Sequence, residues 1–327
     1  MPQPLPSEMH VDKFLTDLSI GYFQQAMNFV AGKVFPIVPV NKASDLYPIF
    51  DRSYFWRDEL KVRPLGGEAP RVGYSITQDS YNALEWSVAH TIDDRVRANA
   101  DDPLNPDRAA ANLLTQQALV HLDRVWAANF FTTSLWGTDR QGVAAAPTYP
   151  EFLQWNDASS DPIGDIRRSS YAIASQTGFK PNTLVIGTDA YQALVDHPDI
   201  VGRIQYSQTG IVTPQLLSVL FDLDQVIVPM SVQNSAAEGA AASYGFIHAA
   251  DQALLCYSAP SPGIDQPSAG YHFAWTGLIP GEMNAMGGVV QRMRDEMRFS
   301  DYLVLRMAYD MKLVATDLGV FFYDVIA

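Results

Sequence analysis

The chain has 327 residues, 47% of them apolar and 18% charged, a globular composition with a lightly charged surface and room for one large or two ordinary domains. A net charge of −14 without any polybasic run excludes a general phosphate-binding surface, and the single cysteine, Cys256, excludes an intrachain disulfide or a CxxC motif. No apolar run reaches the roughly 18 residues that a bilayer span requires, and the N-terminus lacks the basic start and apolar core of a secretory leader, so a soluble protein is expected.

Pro2, Pro4 and Pro6 mark the start as an extended arm. Ile20, Phe23, Met27, Val30, Ala31 and Val34 step by three and four, which predicts an amphipathic helix ending near Phe35-Pro36. Ile37-Val38-Pro39-Val40 should be extended, because a residue before proline avoids the helical region. From 44 to about 91 the pattern is one of strands. Tyr54-Phe55-Trp56 leads into Arg57-Asp58-Glu59-Leu60-Lys61-Val62-Arg63, a charged segment with no sustained apolar face. Pro64-Leu65-Gly66-Gly67-Glu68-Ala69-Pro70 is a turn, and Arg71-Val72-Gly73-Tyr74-Ser75-Ile76 returns from it. Such a hairpin is too polar to bury both faces and is expected to project from the body. Leu84, Trp86, Val88, His90 and Ile92 alternate with small or polar residues, predicting a half-buried strand with His90 on its core face.

Asn105-Pro106-Asp107 then opens a long helix over 107–131, with an Asn cap, a proline in the first turn and an acid where the helix dipole favours one. Ala110, Leu114, Ala118, Leu122, Val125, Trp126 and Phe130 form one apolar stripe, while Arg108, Asn112, Gln116, Asp123 and Arg124 lie off it. Residues 137–161 read as loop. Asp161-Pro162 starts a second helix that stops at Gly178. A strand at 183–186, helices at 189–195, 199–204 and 213–221, and strands at 226–228, 244–248, 253–257 and 271–275 follow, with a small-residue loop at 233–243. Residues 161–279 therefore read as a compact mixed α/β domain. At the C-terminus, Leu303, Leu305, Met307, Tyr309, Met311 and Leu313 share one strand face. With 289–298 before and 320–326 after, this predicts a three-stranded antiparallel meander covered by the long helix. Leu114, Leu122 and Trp126 should be buried there, and Arg108 and Arg124 exposed or at subunit contacts.

The usual catalytic signatures are missing: no GxGxxG, GxxxxGK[ST], GxSxG or HExxH. None of the six histidines, His10, His90, His121, His197, His248 and His272, stands at metal-ligand spacing from another, and His197-Pro198-Asp199 fits a helix end better than a catalytic site. Asp93-Asp94, Asp101-Asp102 and Asp295-Glu296 are read as solvated turns and strand faces rather than cation sites. Tyr54-Phe55-Trp56 and Phe321-Phe322-Tyr323 are core or interface aromatics, with no interleaved basic residues to make a base-stacking platform. No catalytic residue, cofactor or metal is assigned.

Residues 22–36, Val38-Pro39-Val40, Trp56-Arg57-Asp58-Glu59, Val96-Arg97-Ala98-Asn99-Ala100-Asp101, Phe130-Phe131-Thr132-Thr133, Trp136-Gly137-Thr138, Pro181-Asn182-Thr183-Leu184-Val185-Ile186-Gly187, His197-Pro198-Asp199-Ile200, Gly210-Ile211-Val212-Thr213-Pro214 and Pro267-Ser268-Ala269-Gly270-Tyr271 carry a likeness that the order of parts shares. Together they resemble the tailed-bacteriophage major capsid proteins of the Hong Kong 97 type. The likeness runs from about 11 to 280. The resemblance implies an α+β fold with an N-arm (1–44), an E-loop hairpin and flanking strands (45–90), a P-domain with its spine helix (91–160), an inserted A-domain (161–279) and a closing P-domain sheet (280–327). It implies a shell subunit that assembles as pentamers and hexamers around double-stranded DNA, without sequence-specific DNA binding or membrane contact. Arg57, Asp58, Glu59, Lys61, Arg63, Gly66 and Gly67 would then form an assembly interface on the hairpin. The chain begins directly at the arm, so the resemblance leaves two expectations, a separate scaffolding protein or a scaffolding segment already cleaved off, with a portal and a decoration protein as further partners. The virion would be its location, after assembly in the host bacterial cytoplasm. Some members link an E-loop lysine to a neighbour; Lys61, the hairpin's single lysine, is not assigned that bond. Alternatives are a nanocompartment shell of the same fold, and a soluble oligomeric enzyme with a site in 161–279.

Overall fold

A computed structural model describes residues 24–50, 52–100, 105–204, 212–263, 266–279 and 287–327. In chain order the elements are α1 (Ala31–Val34), β1 (Ile37–Val40), β2 (Ser44–Phe50), α2 (Arg52–Phe55), β3 (Ile76–Asn82), β4 (Leu84–Asp93), α3 (Asp94–Ala98), α4 (Pro106–Phe130), β5 (Thr138–Val143), β6 (Phe152–Leu153), α5 (Pro162–Thr177), β7 (Thr183–Ile186), α6 (Thr188–Val195), α7 (Pro198–Ile204) and α8 (Pro214–Phe221). The strands β8 (Gln225–Ile227), β9 (Val232–Asn234), β10 (Tyr244–Phe246), β11 (Ala253–Cys256), β12 (Gly270–Trp275), β13 (Gly288–Asp295), β14 (Ser300–Leu313) and β15 (Gly319–Tyr323) complete the chain.

The long helix α4 forms as the sequence predicts. Asn105 Oδ1 accepts the Arg108 N–H at 3.0 Å, and Pro106 occupies the first turn. Its 25 residues span about 37 Å. Leu114, Leu122 and Trp126 are buried and Arg108 and Arg124 exposed, while Val125 is only half buried. The stripe packs on β14, β4 and α1. Phe35 stacks edge-on against Trp126 at 5.9 Å and leans on Phe130 at 4.8 Å.

Asp123 departs from the off-stripe position expected of a polar residue, for it is fully buried. Its Oδ1 accepts the N–H groups of Val30 at 2.8 Å and Ala31 at 2.9 Å, the free donors at the start of α1. Its Oδ2 accepts the Ser231 hydroxyl, with His248 Nδ1 at 3.7 Å. Two turns earlier, Gln24 and Gln116 bond reciprocally: Gln24 N–H donates to Gln116 Oε1 at 3.2 Å and Gln116 Nε2 donates to the Gln24 carbonyl at 2.9 Å. Gln24 also clamps β9 through the Val232 carbonyl and N–H. These contacts explain why the helix predicted through Met27 to Val34 is replaced by a 3-10 turn at Ala26–Asn28 and the single turn α1: α4's side chains take the backbone groups that a continuous helix would have used. The predicted arm, and Ile20 and Phe23, lie outside the described residues.

Strand β14 organises the first sheet, in the order β1-β12-β14-β13, with β4 on the other side of β14. Leu305, Met307, Tyr309 and Met311 are buried on its covered face, and Leu303 and Leu313 half buried. The predicted meander holds for β13 and β14 but not for the last strand. β15 crosses into a second sheet, ordered β6-β5-β15-β11-β7-β8, and lies between β5 and β11. Val320, Phe321 and Phe322 are all buried, and a strand apolar on both faces belongs at the centre of a covered sheet rather than on a half-solvated one. Gly319 is required at its start, since a Cβ there would fall 2.1 Å from the Trp136 ring. The loop predicted for 137–161 is likewise corrected, because β5 and β6 form there. β5 carries little apolar pattern and is held by its neighbours: buried Arg140 donates to the Pro150 and Asp165 carbonyls at 2.9 and 3.1 Å and to Ser169 Oγ at 2.9 Å. In the opposite direction, β12 leaves the region expected to be the inserted domain and pairs with β14 and β1. Phe273 on β12 stacks on Tyr81 at 4.7 Å and meets Tyr47 at 5.5 Å, fastening the β2–β3 ladder to this sheet.

An ion cluster closes the far end of the first sheet. Nearly buried Asp301 accepts hydrogen bonds from Arg292 and Arg294 on β13 and pairs with Arg97 of α3 at 2.8 Å; Arg97 also grips Asp107 in the first turn of α4 at 2.8 Å. These cations, Arg292 foremost, hold the Asp301 carboxyl down at about 2. A depressed carboxylate stabilises the fold above its unfolded value near 3.8 and ceases to do so as pH falls toward 2.

Trp126→Ala is expected to cost about 3–5 kcal/mol in urea unfolding, by transfer and cavity terms. Asp123→Ala, which strands three donors, should cost about 3 kcal/mol and speed proteolysis of residues 24–35 ahead of global unfolding. Asp301→Asn should lower the melting temperature at neutral pH and converge with the parent near pH 2; a constant difference across pH would contradict the ion-cluster assignment.

Candidate assembly surfaces

No group of three His, Cys, Asp or Glu side chains converges to hold a metal among the described residues. His197 is buried at the start of α7, where its Nδ1 accepts the Asp199 N–H at 3.2 Å and its Nε2 meets Ser160 Oγ at 3.0 Å; it caps a helix. Asp93 caps α3 by accepting the Arg95 N–H, Asp94 pairs with Arg294, and Asp295 accepts the N–H groups of Met297 and Arg298. Asp101-Asp102 lies outside the described residues. Phe321 and Phe322 are core, packed on Phe131 at 5.4 Å and Trp155 at 5.7 Å.

What stands out is apolar surface held in water. The hairpin predicted over 57–76 is not a ladder; its strands are β2 and β3, in register from Ser44↔Asn82 to Phe50↔Ile76, and the chain between Trp56 and Ser75 has no regular structure. A polar segment with no apolar face has nothing within one chain to lie on. The turn is where the sequence placed it: Gly67 N–H donates to the Pro64 carbonyl at 3.0 Å with Gly66 at φ 79°. The base is anchored, as the Trp56 ring lies against Gly178 at the left-handed cap of α5 and Phe55 meets Tyr74 at 5.6 Å. Beyond it Leu60, Val62 and Leu65 are 94%, 98% and 107% exposed. Fully burying each would contribute about 1.5–3 kcal/mol.

Among the interface residues named from the sequence, Arg57, Asp58, Lys61, Arg63 and Gly66 are exposed and Glu59 and Gly67 half buried. Arg57 lies 3.6 Å from Glu59, and Asp58 accepts the Leu60 N–H at 3.1 Å. The loop tip is basic: Lys61, Arg63 and Arg71 against Glu68, on a chain of net charge −14. Two further surfaces were not legible in the sequence. Leu84, Trp86 and Val88, the predicted core face of β4, are each more than a third exposed, because α4 covers only part of that face. Trp86 meets the His121 ring at 4.6 Å, and an open trough remains between β4 and α4, walled also by Ala118, Leu305 and Met307. At the β13–β14 turn, Met297 and Phe299 are exposed, Phe299 with φ 50°. Several apolar patches on one lightly charged chain are candidate contact surfaces.

Known proteins carry the same architecture. No family model matches the chain. The major capsid protein of Burkholderia phage BcepMu is 29% identical over 220 residues, 67% of this chain and 68% of that protein. Among solved structures, a phage-related protein from Bordetella bronchiseptica aligns with a TM-score of 0.68 at 19% identity, over 93% of this chain and 94% of that one. The mature capsid of bacteriophage PhiM1 aligns at 0.58 and 12% identity, over 96% and 91%. The SrpI encapsulin of Synechococcus elongatus aligns at 0.55 and 11% identity, over 96% and 95%. The chain therefore has the Hong Kong 97-type capsid fold and is a homologue of a phage major capsid protein.

Proposed function

We propose that this chain is the major capsid subunit of a phage head, assembling as pentamers and hexamers into an icosahedral shell around double-stranded DNA. The role is structural. The observation that carries it is the loop between β2 and β3, which presents Leu60, Val62 and Leu65 to water at the end of an anchored stem. Apolar side chains so placed gain about 5–9 kcal/mol together only when a neighbouring copy covers them. Arg57, Asp58, Glu59, Lys61, Arg63, Gly66 and Gly67 are then the polar rim of that contact, the basic tip being drawn to an acidic neighbour. In this reading 1–44 is the N-arm, 45–90 the E-loop with its flanking strands, 91–160 and 280–327 the P-domain, and 161–279 the A-domain, with β12 and β15 exchanged between the two sheets. A scaffolding protein, portal and decoration protein are its partners. Packaged DNA lies against an acidic shell without base-specific contact. Assembly takes place in the bacterial cytoplasm, and the product is the virion.

The encapsulin likeness favours a second reading, a nanocompartment around a protein cargo. Negative-stain microscopy of the expressed chain, with and without a scaffolding protein from the same source, separates the two. Closed shells that protect DNA from nuclease support the head; small cages around a bound protein support the compartment. Small discrete oligomers under every condition would overturn both. Replacing Leu60, Val62 and Leu65 by Ser should abolish shells while changing the subunit's stability by no more than about 0.5 kcal/mol per substitution, as for other exposed sites.

A further inference from the structure

The seam between α4 and the first sheet holds three buried polar atoms with no protein hydrogen-bond partner among the described residues: His121 Nε2 on the helix, the Tyr309 hydroxyl on β14 and His272 Nε2 on β12. The Tyr309 ring lies 5.0 Å from His272 and 6.2 Å from His121, so it joins the two imidazoles into one contiguous set of rings. His121 also walls the open trough between α4 and β4, facing Trp86. We propose that this seam is a proton-operated hinge: uptake of protons by His121 and His272 widens the trough between α4 and β4 while the rest of the fold stays closed.

Among the described residues, the elements packed on these rings present no counter-charge for such protons. On α4 the nearest charged group is Arg124, of the same sign, while Asp123 lies on the neighbouring face with its oxygens committed to Val30, Ala31 and Ser231. On β4 the same-face neighbours are Leu84, Trp86, Val88 and His90. On β14, Arg306 and Asp310 alternate onto the opposite face, where they engage Glu85 and the Asn82 N–H. His272 pairs in register with Ile37 on β1 and Met311 on β14, both apolar. Burial pushes His272 down to about 4; burial and then Arg124 push His121 down from its ordinary value. Both rings are therefore neutral at neutral pH. As pH falls below about 6.5, any state that hydrates them gains ground, and the gain levels off only below the folded values. Hydrating His121 asks for little, because one wall of its trough is β4, which pairs with a single strand and whose Leu84, Trp86 and Val88 already touch water. The two ends of α4 are pinned, by Arg97–Asp107 at the start and by Trp126 and Phe130 in the core at the finish, which confines the change to the middle of the seam. The inference concerns a single chain and does not rest on the shell reading.

Hydroxyl-radical footprinting of the full chain at about pH 7.5 and about pH 5 tests it, with far-UV circular dichroism recorded alongside; the two values bracket the ordinary imidazole value. Oxidation of Met307, relative to the permanently exposed Met297, should rise several-fold at the lower pH with the dichroism unchanged, and His121→Gln should remove the rise. An unchanged wild-type ratio, a rise that His121→Gln retains, or a rise that coincides with loss of dichroism would each overturn the hinge. Should His121→Gln not fold, His121→Phe, which keeps the ring's bulk and drops its proton, takes its place.

Discussion

A carboxylate shut away from water must be surrounded by donors, and in this molecule the donors for Asp123 come from two distant parts of the chain. The amides of Val30 and Ala31 reach it from one side and the Ser231 hydroxyl from the other, with His248 behind. Two segments some 200 residues apart in sequence are thereby fixed against one helix. Removing the carboxylate would strand every donor at once, and leaving it unpaired would cost more than the fold gains from any single apolar contact. Around that point the helix does what an amphipathic girder does. One side packs on β14, α1 and part of β4, and the two sheets share an apolar core that runs from Val30 to Val325.

The consequence is a tile with unfinished edges. The core is closed from within, yet the loop beyond Trp56, the face of β4 and the β13–β14 turn all keep apolar side chains in water. A monomer that functions alone gains nothing from such surfaces, and a subunit of a closed shell buries them by symmetry. The ion cluster at Asp301 and the Phe273–Tyr81 stack brace the first sheet, the one at its far end and the other where the β2–β3 ladder joins it.

Local chemistry determined much of this in advance. The caps at Asn105, Asp161 and Thr213, each followed by proline, predict three helix starts where they occur, because a side-chain acceptor and a missing N–H act within one turn. The alternation from Leu303 to Leu313 and the stripe from Ala110 to Phe130 likewise identify a covered strand and its cover, since periods of two and 3.6 residues are backbone geometry and need no partner to be read. The Pro64–Gly67 turn and the polar character of its flanks also follow from composition alone.

Tertiary structure decided the remainder. A carboxylate on α4 is read as solvent-facing until the amides that it caps are brought up from residues 30 and 31. A C-terminal run of Gly319 to Tyr323 looks like the third strand of a meander until its two apolar faces are matched to β5 and β11. β5 carries no strand signal because its order is imposed by pairing and by Arg140. The half-open face of β4 depends on how much of it α4 covers. In each case the determining partner lies far away in sequence, so no local pattern encodes it. The sequence by itself determined the girder, its covering strand and the turn of the loop; only the packed molecule decided which polar groups are buried, which sheet receives each strand, and which apolar faces are left for a neighbour.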